Sequence, residues 1–190
     1  MLTRKFVVLL TATIILSGCS ASLREDAPST TEQGKTGAHV SRAKDYRTMA
    51  ELKADSTAII VGTAGASTVQ EVDGIQFTVT DVRVSKVLWG KAASQVVAIK
   101  QLGGPELLSA DTSRILASGS EYIAFVQPFH MTPGDTTGQY LVTGDRGLYK
   151  LDRKTRQYAF EGGSESSLPL QIPAESATPS EFMSWLPKAS

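Results

Sequence analysis

The residue with the most defined chemistry in this 190-residue chain is Cys19, its single cysteine. A lone thiol closes no disulfide within the chain and excludes zinc sites built from cysteine. There are two histidines, His39 and His130. They form no HExxH helix and leave a metal without a third nitrogen ligand. His130-Met131 offers copper only two adjacent ligands, and the turn-rich segment around it, Pro128 to Gly138, reads as a surface loop. No Gly-x-Ser-x-Gly elbow occurs, nor a Ser-x-x-Lys with its β-lactamase companions. The hydroxyls nearest a histidine in sequence, Ser41 and Thr132, sit in segments without a regular pattern. Asp73, Asp81, Glu106 and Asp111 are carboxylates that acid/base chemistry needs in pairs, but their spacing defines no pair. Gly103-Gly104 lacks the Lys-Ser/Thr and helix start of a phosphate cradle, and reads as a strand end that needs positive φ. Gly144-Asp145-Arg146-Gly147 lacks the acidic spacing of a calcium loop and reads as a turn or strand break. These residues call for no cofactor and no metal.

The elements around Cys19 give its thiol a different task. Arg4 and Lys5 precede an apolar run from Phe6 to Leu16, and Leu16-Ser17-Gly18-Cys19 follows. A cationic start, an apolar core of about 7–15 residues and small residues at a cleavage point are the parts of an export signal. The run is shorter than the roughly 20 residues needed to span a bilayer. Residues 1–18 are therefore expected to be a signal peptide.

Leu-Ser-Gly-Cys resembles the lipobox of bacterial prolipoproteins, which are cut just before the cysteine. The resemblance implies a diacylglyceryl thioether on Cys19 and, in many bacteria, a further palmitate-type acyl group on its amine. It implies a protein anchored by lipid to the extracytoplasmic face of the cell membrane. Two or more acyl chains hold a protein stably where one holds it only marginally.

Removing residues 1–18 takes Arg4 and Lys5 with it, so 19 cations become 17 against 19 anions. That balance carries no basic excess to suggest nucleic acid. Ser20 to Lys44 is mostly Ser, Thr, Glu, Gln, Gly, Lys and Ala, without an aromatic residue or hydrophobic period. Such a stretch buries too little to offset its ordering entropy. Residues 19–44 read as a lipidated flexible tether, with a reach of about 25–30 Å as a random coil. Residues 45–190 read as one domain, large enough for a modest core.

In that domain Thr48-Met49-Ala50-Glu51 reads as a capping box, with Met49 and Leu52 on one face of a short helix. Strands are expected at Thr57 to Ala64, Ile75 to Val84, Val96 to Leu102, Glu121 to Val126, Tyr140 to Thr143 and Leu148 to Leu151. Tyr158 to Phe160 completes a hairpin across Asp152–Arg156. Ile75, Phe77 and Val79 alternate, and Val82 and Val84 alternate in the opposite phase. The slip predicts a β-bulge near Thr80–Asp81. Glu106 to Ala117 is ambiguous. Thr178-Pro179-Ser180-Glu181 caps a second helix whose Phe182, Trp185 and Leu186 form one apolar face. Short strands with Gly, Pro, Asp and Ser turns, and no long crossover helices, predict a mostly β fold. The expected architecture is a small antiparallel barrel with a short helix at each end.

The order of short motifs is also similar to a group of small secreted or lipid-anchored proteins of Gram-positive bacteria, mostly of unassigned function. The matching stretches are Leu52 to Ser56, Ile59 to Thr63, Val87 to Gly90, Gln101 to Gly104 and Gly119 to Phe125. The resemblance spans about Leu52 to Leu151. It implies an OB-like or netrin-like barrel and brings no catalytic residues. Two surface features remain. Trp89, at a strand end beside Gly90, is either an exposed aromatic for a partner or a packing residue. Lys150, Arg153, Lys154 and Arg156 form a basic hairpin that faces either an anionic membrane or plain solvent. The favoured expectation is a non-enzymatic envelope module that binds a protein or cell-wall partner. A hydrolase would instead need a deep pocket with converging titratable groups, and a small-ligand carrier would need an open barrel interior.

Overall fold

The computed structural model describes residues 44, 46–104, 114–130, 137–161 and 168–186. The leader, the Cys19 lipobox and all of the tether but Lys44 lie outside them, as does most of the ambiguous segment after Gly104. The first helix, α1 (Met49–Asp55), starts where its cap predicts. Thr48 is extended and its Oγ1 accepts the Glu51 amide at 3.2 Å. The Glu51 carboxylate reaches back to the Arg47 amide at 2.8 Å, one residue beyond a reciprocal box. Met49 and Leu52 are fully buried.

Among the described residues eight strands follow: β1 (Ala58–Val72), β2 (Ile75–Gly90), β3 (Val96–Leu102), β4 (Glu121–Pro128), β5 (Tyr140–Val142), β6 (Leu148–Asp152), β7 (Gln157–Phe160) and β8 (Gln171–Pro173). Helix α2 (Pro179–Trp185) closes the order, with Thr178 as its cap and Pro179 in its first turn. The sheet order is β1-β2-β3-β5-β4-β6-β7-β8, and β1 also pairs with β4. The pairings β1-β2-β3-β5-β4 thus return to β1, and β6, β7 and β8 extend from β4. The expected antiparallel pairing holds everywhere but once. β3 and β5 meet in parallel through Ile99 and Tyr140, because the chain enters β5 after doubling back from β4 rather than through a hairpin with β3.

β1 and β4 read as nearly continuous apolar runs because both of their faces are covered. Ile59 and Val61 of β1 and Ile123 and Phe125 of β4 pack with Tyr46, Met49, Leu52, Tyr149, Ile172 and Phe182 beneath the two helices. Their alternate residues join a second cluster: Ala58, Ile60 and Ala64 of β1, Tyr122, Ala124 and Val126 of β4, Val82 of β2, Val97 and Ile99 of β3, and Tyr140 and Val142 of β5. That cluster draws on all five strands of the closed set of pairings.

The predicted irregularity lies where expected, but the extra residue is in the other strand. Ala64 pairs with Val82 and Ser67 with Thr80, so Gly65 and Ala66 of β1 stand opposite the single residue Asp81. The phase slip in β2 has a further cause. Phe77, Thr78, Val79 and Thr80 are all buried, so this part of the strand is covered on both sides. β1 and β2 are also longer than predicted. Their outer halves form a hairpin closed by Asp73-Gly74, both with positive φ (52° and 77°), the geometry that an Asp-Gly turn favours. Gly144 and Asp145 sit in a one-turn 3-10 segment, Thr143–Asp145, between β5 and β6, so the Gly144 to Gly147 stretch is the strand break its composition predicts.

Candidate functional site

Alternation along β3 separates two environments. Val97 and Ile99 point into the second cluster, and Gln101 joins them. The Gln101 amide is clamped there, donating to the Arg114 carbonyl at 2.8 Å and accepting the Leu116 amide at 3.0 Å. Ala98, Lys100 and Leu102 therefore face away from that cluster. On the paired strand Val79 stands opposite Lys100, and Phe77 opposite Leu102.

Lys100 is the chemical centre of this outer face. Only 4 % of it is exposed. Its Nζ lies 4.6 Å from the centroid of the Phe77 ring and 4.5 Å from that of Phe129. The rings meet edge-on with centroids 6.3 Å apart. Phe129 follows β4 directly, its amide donates to the Gln139 carbonyl at 2.8 Å, and its ring contacts Phe77 of β2 and Lys100 of β3. Two ring faces hold the ammonium by cation–π attraction, worth about 0.5–2 kcal/mol. Among the described residues Lys100 has no ion-pair or hydrogen-bond partner. Asp81, the acid on the same face one pair further along, opposes Ala98 and is exposed.

Sequence reasoning missed Lys100 and Phe129. The signal was a single cation in the otherwise apolar row Val96, Ala98, Lys100, Leu102, with aromatic Phe77 in the neighbouring strand. A lysine at such a position needs either a counter-charge or ring faces.

The basic hairpin forms as predicted between β6 and β7. Arg153, Lys154 and Arg156 are exposed, and Arg156 takes φ 55° to close the turn. The turn is tied by Asp152, whose carboxylate accepts the Lys154 amide at 2.8 Å. That amide holds the Asp152 carboxyl below its ordinary value, with help from Thr155 and the Lys154 charge. Two open hollows flank the tip. One, of about 480 Å³, is lined by Arg156, Gln157, Pro173 and Glu175. The other, of about 370 Å³, is lined by Lys150, Arg153, Lys154 and Glu161 among others. Glu161, Glu175 and Asp152 therefore intersperse the cations.

Trp89 is half-buried against the helix-side cluster. Its strand neighbour is Ile59, and Lys53 Nζ from α1 lies 5.0 Å from its ring centroid. Strands β1 and β4 lie between β2 and β6, so Trp89 and the hairpin belong to different parts of the sheet. Trp185 is half-buried beside Phe182, ring centroids 5.8 Å apart, and packs α2 onto the domain.

The described residues weighed for catalysis, Asp73, Asp81 and His130, lie apart in the fold. Asp73 is the hairpin-turn residue between β1 and β2, Asp81 lies at the bulge, and His130 is an exposed residue next to Phe129. Among the described residues no group of three or more His, Cys, Asp or Glu is placed to hold a metal. Cys19, His39, Ser41, Glu106, Asp111, Met131 and Thr132 lie outside the described residues. The moved titrations are structural. Burial, and then the hydrogen bond to Glu121, push the Tyr158 hydroxyl up, and burial does the same to Tyr149. Hydrogen bonds from Lys44 and Tyr46 lower the Asp55 carboxyl.

No protein-family model, curated protein or solved structure matches the chain.

Proposed function

We propose that this chain is an extracytoplasmic lipoprotein, anchored to the cell membrane through lipid on Cys19, whose β domain is an OB-like barrel serving as a non-enzymatic binding module. The anchoring rests on the register of Arg4, Lys5, the apolar run to Leu16 and Leu-Ser-Gly-Cys. The barrel reading rests on the return of the pairings β1-β2-β3-β5-β4 to β1 around a core filled by Val82, Ile99, Tyr122 and Tyr140. A filled interior favours a surface binder over a carrier. OB barrels bind ligands on the face of their second and third strands and on adjoining loops. The single observation that carries the binding role is the Phe77–Lys100–Phe129 cluster, which stands on that face. The assignment to this face is an analogy of fold.

In this reading residues 19–44 are the tether, and Trp89 is a packing residue. The tether's reach lets the hairpin of Arg153, Lys154 and Arg156 touch anionic headgroups, where each cation contributes about 1 kcal/mol. The test is metabolic labelling with palmitate of cells that express the natural chain or Cys19→Ala. The proposal expects label and membrane fractionation for the natural chain and neither for the variant. Equal labelling and equal membrane retention of the two would contradict it.

A further inference from the structure

We infer that Lys100 is an anion-binding residue, and that the β2–β3 face receives a phosphate group carried on an apolar or sugar body. The inference rests on the proposed binding face and names its ligand chemistry. A buried ammonium without a counter-ion is costly, and folded chains pair such charges or let them meet an anion. Lys100 is 4 % exposed, and among the described residues it has two ring faces but no carboxylate, carbonyl or hydroxyl partner. Ring faces attract the ammonium without neutralising it, so its positive charge remains available to a ligand.

The surroundings set the class of ligand. Lysine presents a compact point charge with three rotatable donors, a common way for a protein to bind phosphate. Apolar surface borders the charge: Val79 and Leu102 lie beside it, and Ile75 and Val96, exposed by 46 % and 48 %, occupy the same strand faces further out. Phe77 and Phe129 complete the border with two aromatic rings. A bare inorganic anion would use the charge alone. A phosphate ester would also cover the apolar border, and should bind more tightly.

Two sources share this chemistry, a soluble phosphate ester and a phospholipid headgroup. The test uses the mature chain from Cys19 in maltoside micelles, with NMR of the Phe77 and Phe129 ring protons as the readout. Inorganic phosphate, glycerol 3-phosphate and micelles doped with phosphatidylglycerol are titrated at constant ionic strength, with chloride as the control. The inference expects saturable ring shifts with glycerol 3-phosphate or phosphatidylglycerol, weaker ones with inorganic phosphate, and none with chloride. The stronger of the first two identifies the source. Lys100→Met, which keeps the length and fills the space, should weaken binding by about tenfold or more, as expected for a lost charge-assisted contact. Lys100→Arg should retain it, and unchanged circular dichroism shows that both variants are folded. Equal affinity of Lys100→Met, or no saturable shift with any of the three probes, would overturn the inference. Palmitate labelling at Cys19 is unaffected by either result, so the anchoring stands or falls separately.

Discussion

Gly144 and Tyr46 occupy one space: a Cβ on Gly144 would stand 2.1 Å from Cε2 of the Tyr46 ring. Gly144 also has φ 57°, a conformation that costs other residues. Tyr46 itself is buried, and its hydroxyl donates to Asp55 at 2.9 Å. This contact ties the start of the domain to the turn between β5 and β6.

Gly144→Ala should therefore destabilise the domain by about 2–4 kcal/mol, the range for overpacking added to backbone strain. In a Tyr46→Ala background the same change should cost clearly less, because the ring it strikes is gone. Urea denaturation of the two single variants and the double variant measures the difference. Additive costs would show that the two residues do not share that space.

Helix α2 is held by Phe182, fully buried with its ring centroid 6.0 Å from that of Phe125. Phe182→Ala should cost about 3–5 kcal/mol. Thr178→Ala, which removes the oxygen accepting the Glu181 amide at 3.4 Å, should cost about 1 kcal/mol or less. The same denaturation assay ranks the two, and a reversed ranking would mean that α2 is not docked through its apolar face.

Much of this was legible in the sequence, and the misses have physical causes. Both helices were readable because caps and apolar spacing agree, at Thr48 with Met49 and Leu52 and at Thr178 with Phe182. The outer half of β1 was not, because Ser67, Thr68, Gln70 and Glu71 form an exposed hairpin arm with no apolar period to betray it. The Asp73-Gly74 turn was the available clue. β8 was missed because three residues ending in Pro173 carry almost no pattern, and its pairing with β7 is a tertiary fact. At the candidate site the hairpin cations could be read as neighbours in sequence. Lys100 and Phe129 could not, since one lies in β3 and the other just after β4, and they meet only when the chain after β4 folds across β2 and β3.

Alkaline pH should unfold the domain through its tyrosines. The Tyr149 and Tyr158 hydroxyls titrate above their ordinary value of 10.0 in the folded chain, because burial disfavours the charged form. A group whose folded pKa is raised stabilises fully below its unfolded value and loses that contribution as pH rises through the folded one. Stability should thus fall as pH rises above about 10, and Tyr158→Phe should lessen the fall. Thermal melts across alkaline pH, followed alongside tyrosinate absorbance, measure this. Two tyrosines ionising near 10 with no loss of stability would contradict the burial assigned to them.

The hairpin makes a separate prediction. Arg153, Lys154 and Arg156 changed together to Ser should lower the affinity of the lipid-free chain for phosphatidylglycerol vesicles by about 1 kcal/mol per charge at low salt. The loss should shrink as salt screens the headgroups. Vesicle flotation checks both. Unchanged binding would leave the three cations as solvent-facing residues.

The proposed anchoring is tested most directly by the intact mass of the chain extracted from bacterial membranes. The account predicts a polypeptide that begins at Cys19, with residues 1–18 removed and the mass of a diacylglyceryl group or more on that cysteine. A chain that begins elsewhere, or one with an unmodified Cys19 thiol, would contradict it.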